Sequence, residues 1–229
     1  MISRFELLNK NYDLTMDEFV AKWNEHAAVE LKTANLKELR HTMITDHNQD
    51  HPLGRGPVEV DGYTERVFDD MYEMEQGVAS VANEAGDSLK TFASGNKVLV
   101  CAKKFDTYVP EELKGQKLIK RMSFLGLKDG VTMADFQREW WGLHSDLVRN
   151  MPGYVGYAQN LVIDRFVDGK RVPYSELPVA GVVEFWYKDE EGFKACFGGE
   201  EFKKTAAHGA TFLGSVTTNM GGEIIFDIK

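Results

Sequence analysis

The residues of this chain best suited to proton transfer near neutral pH are its six histidines, and two of them stand in matching contexts. His26 and His144 each follow apolar residues spaced for one helical face: Met16, Phe19 and Trp23 before the first, and Met133, Phe136 and Trp140 or Trp141 before the second. An imidazole with a pKa of about 6.5 both takes and gives a proton. A histidine on such a face is either a core residue bonded to a backbone carbonyl or an acid/base group in a cavity.

The matching contexts belong to a repeat at an offset of 117 to 119 residues. It is carried by four ordered pairs of segments: residues 2–4 with 119–121, 15–19 with 132–136, 23–26 with 141–144 after one inserted residue, and 62–65 with 181–184. An ordered series of this kind indicates two homologous halves, residues 1–106 and 117–229. Residues 106–115 form the join, because the segment is polar and contains Pro110 and Gly115.

Each half predicts the same order of elements: strand, helix, strand, strand, helix, strand. The helices begin with Thr15-x-x-Glu18 and Thr132-x-x-Asp135, both capping boxes. The later elements are predicted as strands at 40–45 and 155–163, strands at 63–68 and 182–187, helical stretches at 71–92 and 190–207, and closing strands at 98–102 and 223–228.

This order is the ferredoxin-like βαββαβ unit, so the predicted fold class is α+β. A four-stranded sheet with both helices on one face leaves its other face bare. Two such repeats pairing in one chain can bury those faces together, which predicts a barrel-type pseudo-dimer with a cavity between the sheets.

Three motifs of the second half resemble the EthD-like family of the dimeric α/β-barrel superfamily. They are the segment from Phe136 to His144, the Pro152-Gly153 pair that opens the strand containing Tyr157, and the His208-Gly209 pair followed by Phe212. The resemblance implies a barrel of two family units, which the duplication would supply in one chain. The first half departs from the pattern: it lacks the Pro-Gly pair and has Ser88 where His-Gly would begin. Its Trp-x-x-x-His segment and its Pro-containing loop before a Gly-Tyr strand weakly resemble bacterial chalcone isomerase.

The resemblance implies that His144 acts as a general acid/base, and that Tyr157 and His208 lie at the same cavity. The predicted catalytic residues are therefore His26, His144, Tyr157 and His208, and the predicted substrate-binding residues are Arg40, His41, Glu65, Trp141 and Glu184. They form two alternative sites, His26 with His41, Arg40 and Glu65, and His144 with Tyr157, Glu184 and His208. Glu65 and Glu184 occupy equivalent mid-strand positions and would either orient a histidine or face solvent.

The segment from Asp46 to His51 carries two histidines, but it stands between strands before Pro52 and Gly54. A polar loop, with the possibility of a lid over the first cavity, is favoured there over a zinc site. No metal and no organic cofactor are expected. The two cysteines, Cys101 and Cys196, are 95 positions apart, which favours free thiols.

Composition limits the function classes. There are 27 Lys and Arg against 36 Asp and Glu, a formal net charge of −9, which disfavours binding to nucleic acid. The chain contains no apolar run of the roughly 18–20 residues that a bilayer span needs, and its first residues lack the apolar region of a signal peptide, so a cytoplasmic protein is expected. A homodimer through the outer faces remains open.

The predicted function is that of a small-molecule enzyme that isomerises, cyclises, hydrates or dehydrates an aromatic or lactone-like substrate by histidine acid/base chemistry. An aromatic-rich cavity would suit a flat apolar substrate. Two alternatives remain: a cofactor-independent monooxygenase acting on a quinol, and a non-catalytic module that binds a ligand or haem.

Overall fold

A computed structural model describes residues 1–49 and 51–226 of the chain. Its strands are β1 (Ile2–Leu8), β2 (Glu38–Gln49), β3 (Gly62–Phe68), β4 (Lys97–Thr107), β5 (Ile119–Leu127), β6 (Tyr154–Val167), β7 (Lys170–Arg171), β8 (Gly181–Tyr187) and β9 (Leu213–Phe226). Its helices are α1 (Met16–Glu30), α2 (Met71–Leu89), α3 (Met133–Trp141), α4 (Leu143–Arg149), α5 (Glu190–Gly198) and α6 (Glu200–Gly209), with a short 3-10 turn at Glu111–Leu113.

The strands form a closed antiparallel barrel in the order β4-β1-β3-β2-β9-β5-β8-β6, and pairing of β6 with β4 closes it. The first four strands in this order come from the first half of the sequence and the next four from the second. The two sets meet along β2 with β9 and along β4 with β6. The prediction of an α+β fold built around a barrel is confirmed.

The helices pack against the outside of the barrel. Ala27 of α1 and Met74 of α2 join a core cluster with residues of β1, β2, β3 and β4. Phe136 and Trp140 of α3 join the largest cluster, with residues of β6, β8, β9 and the other helices of the second half. Each set of four strands therefore has one face towards helices and one towards the barrel interior.

Both predicted capping boxes are present. The Thr15 side chain accepts from the backbone of Glu18 at the start of α1, and the Glu18 carboxylate accepts from the backbone of Thr15. Thr132 and Asp135 form the same reciprocal pair before α3. These contacts satisfy amide donors that the first helical turn leaves without partners.

The helices of the second half are each interrupted at a glycine. The chain leaves helical geometry at Gly142, with φ −96° and ψ −115°, and again at Gly199. The first break falls between Trp140 and His144 and divides this helix into α3 and α4. Its counterpart in the first half, α1, continues without a break through His26.

Four strands, β2, β4, β6 and β9, are longer than predicted by several residues. β2 continues through Asp46 to Gln49, because it pairs with β9 over that stretch, so the predicted loop from Asp46 is wrong up to Gln49. β9 begins at Leu213, ten residues before the predicted start, because it pairs with β5 on one side and with β2 on the other. Asp50 of the predicted loop and residues 227–228 of the last predicted strand lie outside the described residues.

Within the described part of the chain, no helix combines the length and apolarity needed to cross a membrane. Cys101 and Cys196 are buried free thiols, as predicted.

Candidate active site

A cavity lies on the outer face of the second set of strands, beneath α3, α4, α5 and α6. Its empty space is about 620 Å³, including the part open to solvent. The walls come from β5, β6, β8 and β9 on one side and from the helices on the other, with His51 and Leu53 added by the segment after β2. The sequence predicts a cavity between the two sheets. That location is wrong, because the cavity lies between sheet and helices.

His144 lines the cavity and is held by a second histidine. Its Nδ1 lies 3.4 Å from Nδ1 of His208, and the His208 Nε2 lies 3.4 Å from the Glu139 carboxylate. A carboxylate accepts from Nε2–H of His208, so the His208 Nδ1 carries a lone pair and accepts from Nδ1–H of His144. His144 then has its lone pair on Nε2, which is the form of a general base.

Burial lowers the pKa of His144 to about 4, and the neighbouring His208 adds to the effect. His51 behaves in the same way: burial, followed by the nearby charge of Arg121, lowers its pKa to about 4. Both imidazoles are therefore neutral at pH 7. Each can accept a proton without first having to lose one.

Arg121 of β5 supplies a positive charge to the same cavity. Its Nη2 donates to the Thr218 hydroxyl at 3.1 Å, and its guanidinium lies 4.4 Å from the centre of the Phe197 ring. Burial lowers the pKa of this arginine, and only Tyr187 and Cys196 oppose that effect. Among the described residues no carboxylate forms an ion pair with it.

Aromatic rings make up much of the remaining wall. Tyr157 of β6 and Phe185 of β8 are stacked with ring centres 4.6 Å apart, and Trp140 and Phe197 face them from the helices. Flat apolar walls with a few polar groups suit a small aromatic ligand.

The structure brings together part of the second predicted site. His144 and Tyr157 line the cavity, and His208 supports His144 from behind. Arg121 and His51 were not among the predicted site residues. The available signal for Arg121 was a charged residue on the face of β5 that also carries Ile119 and Leu125, whereas His51 comes from the other half of the chain and gave none.

Glu184 does not belong to the site of His144. Arg40 and Glu65 likewise do not belong to a site with His26. These three side chains lie inside the barrel, where Glu184 is 2.9 Å from the Lys120 ammonium and Glu65 is 2.5 Å from that of Lys103. Successive strand residues point to opposite faces, so Arg40 and His41 of β2 lie on different sides of the sheet. Inside the barrel, Glu65 and Glu184 neither orient a histidine nor face solvent, the two roles expected for them.

The barrel interior is an ion network instead of the predicted cavity. Arg40 contacts Glu65 at 2.9 Å, and Lys120 also contacts Glu223 at 2.7 Å. Burial would raise the pKa of Glu65, but Lys103 and Arg40 outweigh it and hold the pKa well below its usual range. Buried charges of both signs in contact fill the space that the sequence analysis assigned to a substrate.

His26 belongs to α1, and His41 lies on β2 beneath that helix, both in the first half. His41 is stacked on Trp23 with ring centres 4.6 Å apart and contacts the Glu30 carboxylate at 2.6 Å, and His26 contacts Ser88 at 2.9 Å. Neither histidine lines the cavity described above.

Ligand atoms of Glu6, His26 and Glu30 lie within 4.8 Å of one another, a spacing that a metal ion could bridge. Arg4 and Arg66 already bind the Glu6 carboxylate, however. Burial would raise the pKa of Glu6, but these two guanidinium groups lower it to about 2. One of the three donors, Glu6, is therefore already paired with two cations, which fits an ion network better than a metal.

Trp140, and not the predicted Trp141, faces the cavity. Trp140 packs on Gly181 as Trp23 packs on Gly62: a Cβ on either glycine would lie 2.5–2.7 Å from the indole ring. Trp23 therefore corresponds to Trp140, and the inserted residue follows this tryptophan instead of preceding it.

Comparison with known proteins agrees with this geometry. The family model of the EthD domain matches residues 128–215. This range includes α3, α4, α5, α6 and most of the cavity wall. No curated protein sequence matches the chain.

Solved structures share the fold over the whole chain at low sequence identity. A candidate monooxygenase from Lactobacillus acidophilus NCFM is 12% identical, with a TM-score of 0.60 and coverage of 99% of both chains. An anthrone oxidase-like protein is 9% identical, with a TM-score of 0.64 over 97% of this chain and 91% of the other. A candidate chlorite dismutase is 9% identical, with a TM-score of 0.55 over 97% and 95%.

The weak resemblance to chalcone isomerase stays a prediction. The EthD resemblance of the second half is confirmed: residues 128–215 match the EthD domain model, and the whole chain shares its fold with the solved structures above.

Proposed function

We propose that this chain is a small-molecule enzyme whose reaction begins with proton transfer from the substrate to Nε2 of His144. The observation that carries the proposal is the contact of His144 with His208 on the wall of an aromatic cavity. A neutral imidazole held in one tautomer is a base ready to act at neutral pH.

His208 and Glu139 stabilise His144 after it has received the proton. His208 accepts from Nδ1 of His144, and Glu139 holds His208 in the matching tautomer. The positive charge that forms on His144 is then stabilised through His208 by the carboxylate, as in other histidine–carboxylate arrangements. Tyr157 and Phe185 hold the aromatic ring of the substrate beside this base.

For the overall reaction we favour oxidation of an electron-rich aromatic substrate by dioxygen. Loss of a proton leaves a carbanion or phenolate that can react with O₂. A methylene group flanked by aromatic rings then becomes a carbonyl: R₂CH₂ + O₂ gives R₂C=O + H₂O, with one oxygen atom in each product. The names of the structural neighbours, a candidate monooxygenase and an anthrone oxidase-like protein, support this choice over isomerisation.

Isomerisation, cyclisation, or addition and elimination of water is the second candidate. The observation that favours it is the pair of imidazoles, because His144 can return its proton to a second atom of the same substrate. The two reactions share their first step and differ in their need for oxygen.

Oxygen consumption separates the candidates. The purified protein is incubated with a panel of anthrones, quinols and aromatic lactones in an oxygen-electrode cell, with product analysis by mass spectrometry. Substrate-dependent oxygen uptake with a ketone product supports oxidation, and conversion without uptake supports isomerisation or hydration.

The variant H144A tests the base in the same assay. We expect it to lower turnover at least 100-fold, while H47A, which removes an exposed histidine of β2, leaves turnover unchanged. Equal turnover of H144A and the unchanged protein contradicts the proposed base.

We also propose that the chain arose by duplication and that residues 1–106 and 117–229 pair as a pseudo-dimer. The same strand order in both sets, 4-1-3-2 within each half, supports this. The surroundings of the first-half histidine differ from those of His144: Glu30 stands at the place of Val148, and His41 at the place of Gln159. A separate cavity beside α2 and β4, lined by Arg4 and Met74 among others, contains no histidine among its described residues. On this basis the second half carries the active site.

The ligand- or haem-binding module remains a separate proposal, because a neutral imidazole is an axial ligand that haem iron accepts. Its test is absorption in the Soret region of protein purified from haem-supplied cells. A cytoplasmic location and a homodimer stay predictions.

A further inference from the structure

Among the described residues that line it, the cavity has a positive charge with no negative partner. Its described lining contains the guanidinium of Arg121 and two histidines, but no aspartate or glutamate. Both histidines are neutral at pH 7, as shown above. A partly buried cation without an anion is costly, because it has lost water without gaining an ion pair.

The first half shows what such an arginine binds when its partner is present. Arg4 of β1 contacts the Glu6 carboxylate at 2.6 Å, and Arg66 of β3 contacts the same carboxylate at 2.9 Å. Glu6 stands two residues after Arg4 on the same face of the strand.

The second half keeps the arginine and lacks its partner. Ser123 stands two residues after Arg121 on β5, where Glu6 follows Arg4 on β1. Phe185 pairs with Arg121 in the strand register, where Arg66 pairs with Arg4. Glutamate is thus replaced by a small residue, and the second arginine by an aromatic ring.

We propose that the carboxylate of an aromatic acid occupies this position in the cavity, so that the substrate supplies the anion that Glu6 supplies in the first half. This deepens the proposed function and rests on it, since it assumes that the cavity of His144 holds the substrate.

The geometry of the guanidinium favours a carboxylate. One nitrogen of Arg121 donates to Thr218, and the planar group has further donors that match the two oxygens of a carboxylate. The ring of the acid would then lie against Tyr157 and Phe185, beside His144. The carboxylate sets the orientation of the substrate, and the histidine acts on another part of it.

Binding of three matched probes tests the charge requirement. We would titrate 2-naphthoate, 2-naphthamide and 2-naphthol at pH 7, following the heat of binding and the intrinsic tryptophan fluorescence of the protein. We expect the naphthoate to bind at least tenfold more tightly than the uncharged amide, a preference that R121M removes. K194Q, which removes an exposed cation from α5, should keep the preference. Equal binding of amide and naphthoate, or tighter binding of the naphthol, would overturn the proposal.

Thermal unfolding without ligand tests whether Arg121 has a structural role instead. We expect R121M to raise the unfolding temperature by about 2–4 °C, because it removes a charge without a partner. The matched change R4M should lower it, because it removes one of the two partners of Glu6. A lower unfolding temperature for R121M makes the arginine structural and overturns the proposal.

The variant S123E reproduces the first-half arrangement in the second half. The added carboxylate should pair with Arg121, keep the protein folded and lower naphthoate affinity at least tenfold. Unchanged affinity in folded S123E contradicts the proposed position of the ligand carboxylate.

The carboxylate site and the proposed enzyme activity can fail independently of each other. H144Q should lose turnover and bind naphthoate within threefold of the unchanged protein. If the unchanged protein prefers naphthoate but turns over no substrate, the enzyme proposal fails and the carboxylate site stands. If it turns over substrates without any carboxylate preference, only the carboxylate site fails.

Discussion

His208 and His144 meet through their Nδ1 atoms at 3.4 Å, with the Glu139 carboxylate on the far side of His208. Two Nδ1 atoms in contact cannot both carry hydrogen, so the carboxylate decides the tautomer of both rings. The contacts among Glu139, His208 and His144 thereby leave the lone pair of His144 on Nε2, where it can accept a proton or a hydrogen bond from a ligand.

Replacing His208 by glutamine should change both the titration and the reactivity of His144. The neighbouring imidazole helps to lower the pKa of His144, so H208Q should raise that pKa. Turnover should fall about 10- to 100-fold with little change in KM, because the tautomer is no longer fixed. An NMR titration of the imidazole signals measures the pKa. An unmoved His144 pKa together with unchanged kcat would show that the pair has no functional role.

The protein should lose stability as the pH falls from about 6.5 towards 4. In the unfolded chain a histidine binds its proton near pH 6.5, whereas folded His144 and His51 bind theirs only near pH 4. The unfolded state binds more protons in this interval, so each group costs at most about 1.4 kcal/mol per pH unit as acid is added.

Urea unfolding at pH 7, 6 and 5 measures that slope. H144Q should make it shallower, while H47A, which changes an exposed histidine, should not. If the unfolding free energies of H144Q and the unchanged protein fall in parallel as the pH is lowered, protonation of His144 does not cause the loss of stability.

Gly181→Ala should destabilise the second half. The added Cβ would lie 2.5 Å from the Trp140 ring, and overpacking of this kind costs about 1–3 kcal/mol. Gly198→Ala is the control, because a Cβ there meets nothing within 4 Å. Chemical denaturation compares the two variants. A free energy of unfolding for G181A equal to that of G198A would mean that the tryptophan does not pack as described.

Glu184→Met should destabilise the barrel by about 3–5 kcal/mol, because it leaves the Lys120 and Lys103 ammonium groups short of a buried partner. Adding Lys120→Met should recover part of the loss, and a double-mutant cycle in urea measures the coupling. We expect the folded double variant to keep its ligand affinity, since Glu184 and the cavity lie on opposite faces of the sheet. A loss of naphthoate binding in that variant would return Glu184 to the site.

The sequence pattern was sufficient for the helix starts and for the order of the elements, but not for the full length of the strands or the breaks in the helices of the second half. Threonine with an acidic residue three positions later predicted the starts of α1 and α3, and apolar periodicity predicted the helices and strands that follow. Spaced motifs around His144, Tyr157 and His208 predicted the match to the EthD domain. These features are read from residues close together in the chain, so they do not depend on the packing of distant segments.

The sequence by itself determined the order of elements, the βαββαβ pattern and the histidine at the end of each first helix. Only the tertiary structure decided which face of each strand meets the other sheet, because alternation along a strand separates two faces without saying which one is enclosed. That choice put Glu65 and Glu184 among lysines inside the barrel and left His144 outside it. It also brought His51 and Arg121 together from different halves of the chain, a contact between segments that no local pattern specifies.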